Sequence, residues 1–409
     1  MKNEIFKKIT ELEQEAVDLM KKLISINSIG PKNDGPGEKE VGEFLQQYLK
    51  QTGFSNIKNY PAPDASVEGG ERPNLVTILP GKNTKNTLWI MTHTDVVPEG
   101  DLSKWDTNPF EALVKDGKIF GRGSEDNQQG LVSSIMMARA FIETGIKPEI
   151  NIGLVMVADE ETGSEYGLTY LLNHHPELFK KDDLIIIPDA GEPDSRMIEV
   201  AEKSIIWVKF KTYGKQVHAS MPNLGINAFN AASHLVVRLQ QLHSIYNAID
   251  DVFEPSISTF EPTKKEANVP NINTIPGEDV FCLDCRVLPQ YDIKDVMHSI
   301  RNMANDIEKE FKVKIEISTE QKEQAAPATP VEAKIVKKLE DAILQVYNVK
   351  AKAQGIGGGT VAAIFRRKGY HAAVWSTLDD LAHQPNEYCK ISNMMNDAKV
   401  FALCALHHS

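Results

Sequence analysis

Four short apolar runs, NLVTILP, TLWIMT, INIGLVMVA and DLIIIP, punctuate the first half of the chain, each followed by polar residues or a helical pattern. Continuous apolar strands that alternate with helices indicate a mostly parallel sheet covered by helices on both faces. A sheet of that kind gathers its functional groups at the carboxyl ends of its strands. His93 follows TLWIMT, Asp159 follows LVMVA, and Asp189 follows LIIIP. Three candidates therefore converge on one edge of the predicted sheet.

The full set of such residues is His93 and Asp95, Asp126, the run Asp159-Glu160-Glu161, Asp189 and His383. Two imidazoles and several carboxylates, without cysteine, are the ligands of a paired zinc, cobalt or manganese site that works on substrates, not of a closed structural site. Two such ions side by side clamp a scissile carbonyl and make hydroxide at neutral pH. The expectation is a hydrolase. A lone His-x-Asp at a strand end is often a surface pair, and acidic residues at a helix entry can simply complement its dipole. The convergence of separate strand ends outweighs both bland readings.

The chain has 409 residues, more than one core ordinarily organises, so two domains are expected. Its net charge of −12 argues against a nucleic-acid or anionic-membrane surface. The amino-terminal stretch interleaves charged and apolar residues, without a signal-type apolar run or a segment of membrane-spanning length. A cytoplasmic location is the expectation. Cys282, Cys285, Cys389 and Cys404 fit a reducing compartment. Cys282 and Cys285 form C-x-x-C, but DVFCLDCRVLP reads as a strand, on which residues three apart face opposite ways.

Amphipathic helices open the chain: Ile5, Ile9, Leu12, Ala16, Leu19 and Leu23 mark the first, and Val41, Phe44, Leu45, Tyr48 and Leu49 the second. The pattern changes near Ser204. A strand SIIWVKFKTYG, a long helix through NAFNAASHLVVRLQQLHSIY, further strand-like pieces, a helix around IKDVMHSIRNMANDIEKEF and a strand KVKIEIS describe an α+β insert. The predicted division is a catalytic metal-binding domain over 1–203 and 321–409, interrupted by a lid or dimerisation domain over 204–320. His174 and His175 read as a solvent-exposed loop, His371 as the start of a buried strand, and His407 and His408 as a tail.

The motifs, in order, are HTDVVPEG (93–100), GRGSEDNQQG (121–130), DEETG (159–163), GKQVHASMPNLGINA (214–228), DCR (284–286), GGGT (357–360) and AHQPNEY (382–388). Together they resemble the M20 metallopeptidases, the group of succinyl-diaminopimelate desuccinylase, acetylornithine deacetylase, carboxypeptidase G2 and carnosinase-like dipeptidases, across essentially the whole chain. The resemblance implies a two-metal amide hydrolase that cleaves an N-acyl amino acid or dipeptide beside a free carboxylate through metal-bound hydroxide. It implies a deacylase, with a dipeptidase or aminopeptidase as the alternative, two divalent ions (zinc, or cobalt or manganese), and a homodimer. A non-catalytic relative kept as a binding module would be expected to lose ligands or base, and this chain retains both.

The same resemblance assigns roles. His93 and His383 would bind different ions, with Asp126 bridging them. Asp189 would complete the His93 site and Glu161 the His383 site. Asp95 would orient His93, and Glu160 would be the general base. A cis peptide is implied at Asp126-Asn127. Glu192, in Gly191-Glu192-Pro193, is the alternative to Asp189; in the family a glutamate here accompanies deacylases and carboxypeptidases, and an aspartate dipeptidases and aminopeptidases. Gln128 and Gln129 depart from the usual Lys-Gly after the bridging aspartate, and Glu202-Lys203-Ser204 from a Gly-Arg-Gly-like turn. Arg286 would grip a substrate carboxylate, with a salt bridge to Asp284 as its bland reading. Gly357, Gly358, Gly359 and Thr360 would let backbone N–H groups approach that carboxylate. His218 would stabilise the oxyanion from across a dimer interface, helped by Asn273, or else cap its own turn.

Overall fold

The computed structural model describes residues 1–406, so His407 and His408 lie outside the described residues. The chain divides into two compact units. Met1–Val200, Thr329–Ala353 and the described residues from Thr360 onward form the first; Ala201–Ala328 and Gln354–Gly359 form the second.

An eight-stranded sheet, six of whose strands lie wholly in the first unit, runs in the order Ile57–Asn59, Leu75–Leu79, Ile150–Val157, Asn83–His93, Leu184–Gly191, Ala372–Ser376, Met197–Glu202 and Lys352–Ile356. The strands from Ile150–Val157 through Ala372–Ser376 are mutually parallel. Leu75–Leu79 and Met197–Glu202 flank them antiparallel. The apolar runs are uninterrupted because both faces are covered. Trp89, Met91, Val155, Val157, Ile185 and Ile187 pack with Leu168, Leu171, Phe179 and Phe365. The intervening Leu88, Ile90, Leu154, Met156 and Ile186 are equally buried, and the pleat turns them to the opposite face. There the helix Gln128–Thr144 packs, buried at every position from Gln128 to Phe141. Its buried serines are paired, Ser133 with the Met394 carbonyl at 2.8 Å and Ser134 with the Leu131 carbonyl at 2.7 Å. The helices Lys2–Glu11, Glu13–Ile24 and Ile391–Leu406 cover its outer side.

The first amphipathic pattern is thus carried by two helices that break at Leu12, with the apolar stripe continuing unbroken into the core. His174 ends the helix Leu168–His174 instead of lying in a loop.

In the second unit Thr259–Lys265, Glu278–Val287, Ser204–Tyr213 and Lys314–Glu323 form an antiparallel sheet in that order. Phe281, Leu283, Cys285 and Val287 point into a core with Leu235 of the helix Ala228–Leu239 and Ile300 of the helix Ile293–Phe311. Cys282, Asp284 and Arg286 alternate with them and stay partly exposed, so the C-x-x-C cysteines face opposite ways and both are free thiols. Among the described residues no helix is long and apolar enough to cross a membrane.

Gly153 shows how tightly the sheet is filled. It stands beside Trp89 in the parallel register, and a Cβ there would run into the indole ring, whose Nε1–H is fixed on Asp183 at 2.9 Å. Gly153→Ala is expected to lower stability by about 1–3 kcal/mol, the usual range for overpacking, measured by urea unfolding. Unchanged stability would show that the ring gives way freely.

Candidate metal centre

All the candidate ligands but Asp126 hang from the carboxyl end of a parallel strand or from the segment that follows one; Asp126 follows the antiparallel strand Lys118–Phe120. His93 is the last residue of Asn83–His93, and Asp189 lies near the end of Leu184–Gly191. Glu160 and Glu161 open the short turn Glu160–Thr162 after Ile150–Val157. Asp126 immediately precedes the buried helix, with a cis Asp126-Asn127 peptide. His383 sits beyond Ala372–Ser376 in a left-handed conformation, φ 64°.

Two groups of ligand-type atoms result, His93, Asp126 and Asp189, and Asp126, Glu161 and His383; within each, the atoms lie within 4.8 Å of one another. Asp126 belongs to both. Its Oδ1 lies 3.0 Å from His93 Nε2 and its Oδ2 3.2 Å from His383 Nε2, so one carboxylate presents an oxygen to each imidazole. Asp189 Oδ1 is 3.2 Å from His93 Nε2, and Glu161 Oε2 is 3.0 Å from His383 Nε2. Glu192 belongs to neither group.

The electrostatics describe a site with too many carboxylates for its imidazoles. Burial works against a charge on His93, yet Asp126, Asp189 and Asp95 hold its imidazole well above the ordinary histidine range. Asp126 and Glu161 lift His383 to about 10. Burial raises Glu161 to about 7, opposed by His383 and reinforced by Asp126. Burial and then Asp189 push Glu160 well up. Only Asp126, despite its burial, is held low by the two histidines. Divalent cations would relieve this crowding directly, since buried charges need pairing or coordination. Glu161 Oε1 is buried without a hydrogen-bond partner, a lone-pair oxygen of the kind a cation accepts. The donor set fits zinc, cobalt or manganese.

Glu160 differs from its neighbour. It is in neither ligand group, and no described residue donates a hydrogen bond to its side chain. Its backbone is fixed, however. Asp95 Oδ1 accepts the Glu160 N–H at 3.1 Å and Asp95 Oδ2 the Glu161 N–H at 3.0 Å. Asp95 meets His93 Nδ1 chiefly through its backbone carbonyl at 3.0 Å, its carboxylate being 3.5 Å away. Asp95 thus ties the His93 strand to the turn that carries both glutamates. Asp159 faces away from the ligand groups. It takes a hydrogen bond from Arg72 at 3.3 Å and from the Tyr166 N–H at 3.1 Å, and Arg72 is also paired with Glu38.

Sequence reasoning missed Asn127, Arg72 and Glu38. Asn127 Nδ2 donates to Asp189 Oδ1 at 2.9 Å and to the Pro188 carbonyl at 2.6 Å, so the residue after the shared aspartate aims another candidate ligand. GRGSEDNQQG contained that signal. Arg72 and Glu38 lie outside every motif and gave none. Gln129, one of the two departures after Asp126, donates to the Thr377 carbonyl at 3.0 Å and to Asp397 at 3.2 Å.

The substrate candidates of the second unit have their own organisation. Arg286 forks onto Asp284 at 2.8 and 3.0 Å and donates through Nη1 to the Gly357 carbonyl at 2.8 Å. That leaves one N–H on each terminal nitrogen. A Cβ on Gly357 or Gly359 would meet nothing, and one on Gly358 would barely touch Ile356. His218 and Asn273 are neighbours across a short ribbon, where the Ala219 N–H donates to the Asn273 carbonyl at 2.8 Å. The Ser220 N–H donates to His218 Nδ1 at 3.2 Å. The imidazole therefore caps its turn and, when neutral, carries its proton on Nε2 as an outward donor. Thr360, in the first unit, accepts the Ala362 N–H at 3.3 Å.

Residues 89–407 match the sequence profile of peptidase family M20/M25/M40. The chain belongs to that family. An uncharacterized metallohydrolase of Methanocaldococcus jannaschii is 45% identical over 96% of this chain and 98% of its own. The succinyl-diaminopimelate desuccinylase of Buchnera aphidicola is 27% identical over 95% of this chain and 98% of its own. Human carnosine dipeptidase 1 shares the fold with a TM-score of 0.71 at 18% identity, covering 99% of this chain and 98% of that one. The protein is a metal-dependent hydrolase of peptide or amide bonds.

The charge pattern makes a quantitative demand on metal binding. With its imidazole near 10, His383 is protonated at neutral pH in the metal-free protein, and coordination requires the neutral ring. A raised histidine pKa stabilises the metal-free fold below the ordinary histidine value, and that contribution fades as pH climbs through about 10. Zinc titrated at pH 7 should therefore release protons, seen as a binding heat that changes with the buffer's ionisation enthalpy, and apparent affinity should rise with pH. A buffer-independent heat would contradict the arrangement.

Proposed function

We propose that this M20 hydrolase is a two-metal enzyme that removes an acyl group from an N-acyl amino acid bearing a free carboxylate. The observation that carries the reading is the Asp126 carboxylate, with one oxygen toward each histidine-containing group. His93, Asp126 and Asp189 would hold one ion, and Asp126, Glu161 and His383 the other. When bound, the ions polarise the scissile carbonyl and make water acidic enough to attack at neutral pH. Zinc suits the ligand set best, with cobalt or manganese as substitutes.

Glu160 is the general base in this reading. Its carboxylate is uncommitted, its backbone is anchored on Asp95, and its raised pKa lets it accept a proton from the attacking water and return it to the leaving amine. Arg286 grips the substrate carboxylate through its two remaining N–H groups, with backbone N–H groups of Gly358, Gly359 and Thr360 as further donors in this reading. His218 offers its Nε2–H, and Asn273 its amide, to the developing oxyanion. A dipeptidase is the second reading. It is favoured by Asp189, and not Glu192, lying in the ligand group.

Hydrolysis of a panel of N-succinyl, N-acetyl and dipeptide substrates, after chelation and reloading with zinc, cobalt or manganese, separates the two. Glu160→Gln should retain both ions by elemental analysis while kcat falls by about 10²–10⁴. Metal loss in that variant, with Glu161→Gln unaffected, would reverse the assignments of the adjacent glutamates.

The proposal includes a homodimer. The helix Ala228–Leu239 exposes Phe229 and Val237, which with Val236 and Phe281 line a cavity of about 360 Å³, a surface suited to self-association. His218 then serves the partner's site. Mixing inactive Glu160→Gln and His218→Ala proteins under subunit exchange should restore part of the activity, because each mixed dimer carries one intact site. Verified exchange without recovery would assign His218 to its own chain or to no catalytic role.

A further inference from the structure

The two segments that carry Asp126 and His383 are bound to each other by a reciprocal pair of buried glutamates. Glu387, fully buried, belongs to the His383 segment. Its Oε2 accepts Arg122 Nη1 at 2.7 Å and the Gly123 N–H at 3.0 Å; its Oε1 accepts the N–H groups of Glu125 at 2.8 Å and of Asp126 itself at 3.1 Å. Glu125, 2% exposed, belongs to the Asp126 segment and reaches the other way. Its two carboxylate oxygens accept the Asp379 N–H at 2.6 Å and the Leu381 N–H at 2.5 Å. Each glutamate thus satisfies the backbone of the segment that the other one belongs to.

This matters because His383 is not placed by packing. Its side chain is 55% exposed, and its backbone is left-handed, as are those of Asp380 and Asn386. A segment with several such residues has no regular hydrogen-bonding ladder to hold it. Buried backbone N–H groups need acceptors, and a carboxylate buried without donors is costly. The two requirements are met only when both segments are docked in this one register.

The geometry points to Glu125 and Glu387 as positioning residues that set the spacing between Asp126 and His383 before any ion binds. The inference rests on the two-metal reading of the site. In it the second ion meets a preformed pair of ligands, and the ions themselves do not assemble the segments.

The first test uses the unmodified protein. After chelation, hydrogen exchange followed by mass spectrometry should show peptides spanning 123–126 and 379–383 as protected as in the zinc-loaded protein. Free exchange that is quenched only by zinc would overturn the proposal. The second test uses Glu125→Gln and Glu387→Gln, each of which turns an acceptor into an amide that faces an N–H. Calorimetric zinc titration should show the ion held by Asp126, Glu161 and His383 losing about 10- to 100-fold in affinity, the usual effect of removing a residue that orients a ligand, and losing more than the ion at His93, which shares only Asp126 with it. The cobalt absorption spectrum should change most for the His383 site. Two ions bound with wild-type affinity, or both weakened alike, would overturn the inference. An unmodified protein that binds fewer than two ions would instead remove the two-metal reading beneath it.

Discussion

A single carboxylate organises this molecule's chemistry. Asp126 stands between two imidazoles with one oxygen toward each, and it acts on the charge of both histidines and of Glu161. It holds both histidines above their ordinary pKa, against the burial of His93. It also adds to the burial that raises Glu161. Its backbone position in turn depends on the buried helix that begins just after it, on the Glu387 carboxylate that receives its N–H, and on Asn127, which hands the alignment on to Asp189.

The supports around it share a logic. Asp95, Asn127, Glu125, Glu387 and Arg72 are polar groups buried because their partners are backbone N–H groups or carboxylates of the adjoining segments. In a low-dielectric interior such bonds are stronger than in water, and a broken one is costly. The floor of the site is therefore fixed by polar contacts as closely specified as the apolar packing of the sheet beneath it. The second unit's exposed His218 and Asn273 and half-buried Arg286 are held by short ribbons and strand pairing instead.

Much of this was legible in the sequence because parallel strands buried on both faces must be continuously apolar, and the polar residue that ends such a run stands out. His93 and Asp189 were visible for that reason. The insert was visible because strand-like pieces and long helices replace the apolar runs from Ser204 on; in the structure Glu278–Val287 alternates with period two, as a sheet covered on one face requires. The helix Gln128–Thr144 gave no stripe to read, since it is buried all round. The break at Leu12 left the apolar spacing undisturbed and so left no mark. Asp159 was grouped with its two neighbours by adjacency, yet it turns toward Arg72, because sequence proximity says nothing about direction in a left-handed residue. Arg72 and Glu38 meet Asp159 only through tertiary folding.

The strand order carries a consequence for synthesis. Ala372–Ser376 lies between Leu184–Gly191 and Met197–Glu202, strands made nearly half a chain earlier. A chain emerging amino end first can pair Asn83–His93, Ile150–Val157 and Leu184–Gly191 early, but the next place in the sheet must wait for one of the last segments translated. Until then the Leu184–Gly191 edge, apolar on both faces, has no neighbour on that side, although most of the antiparallel unit has already been made. Delayed pairing of this kind is where nascent chains aggregate. Ribosome pausing or premature termination before Ala372 would leave an exposed sheet edge, and the finished enzyme conceals that hazard in its interior.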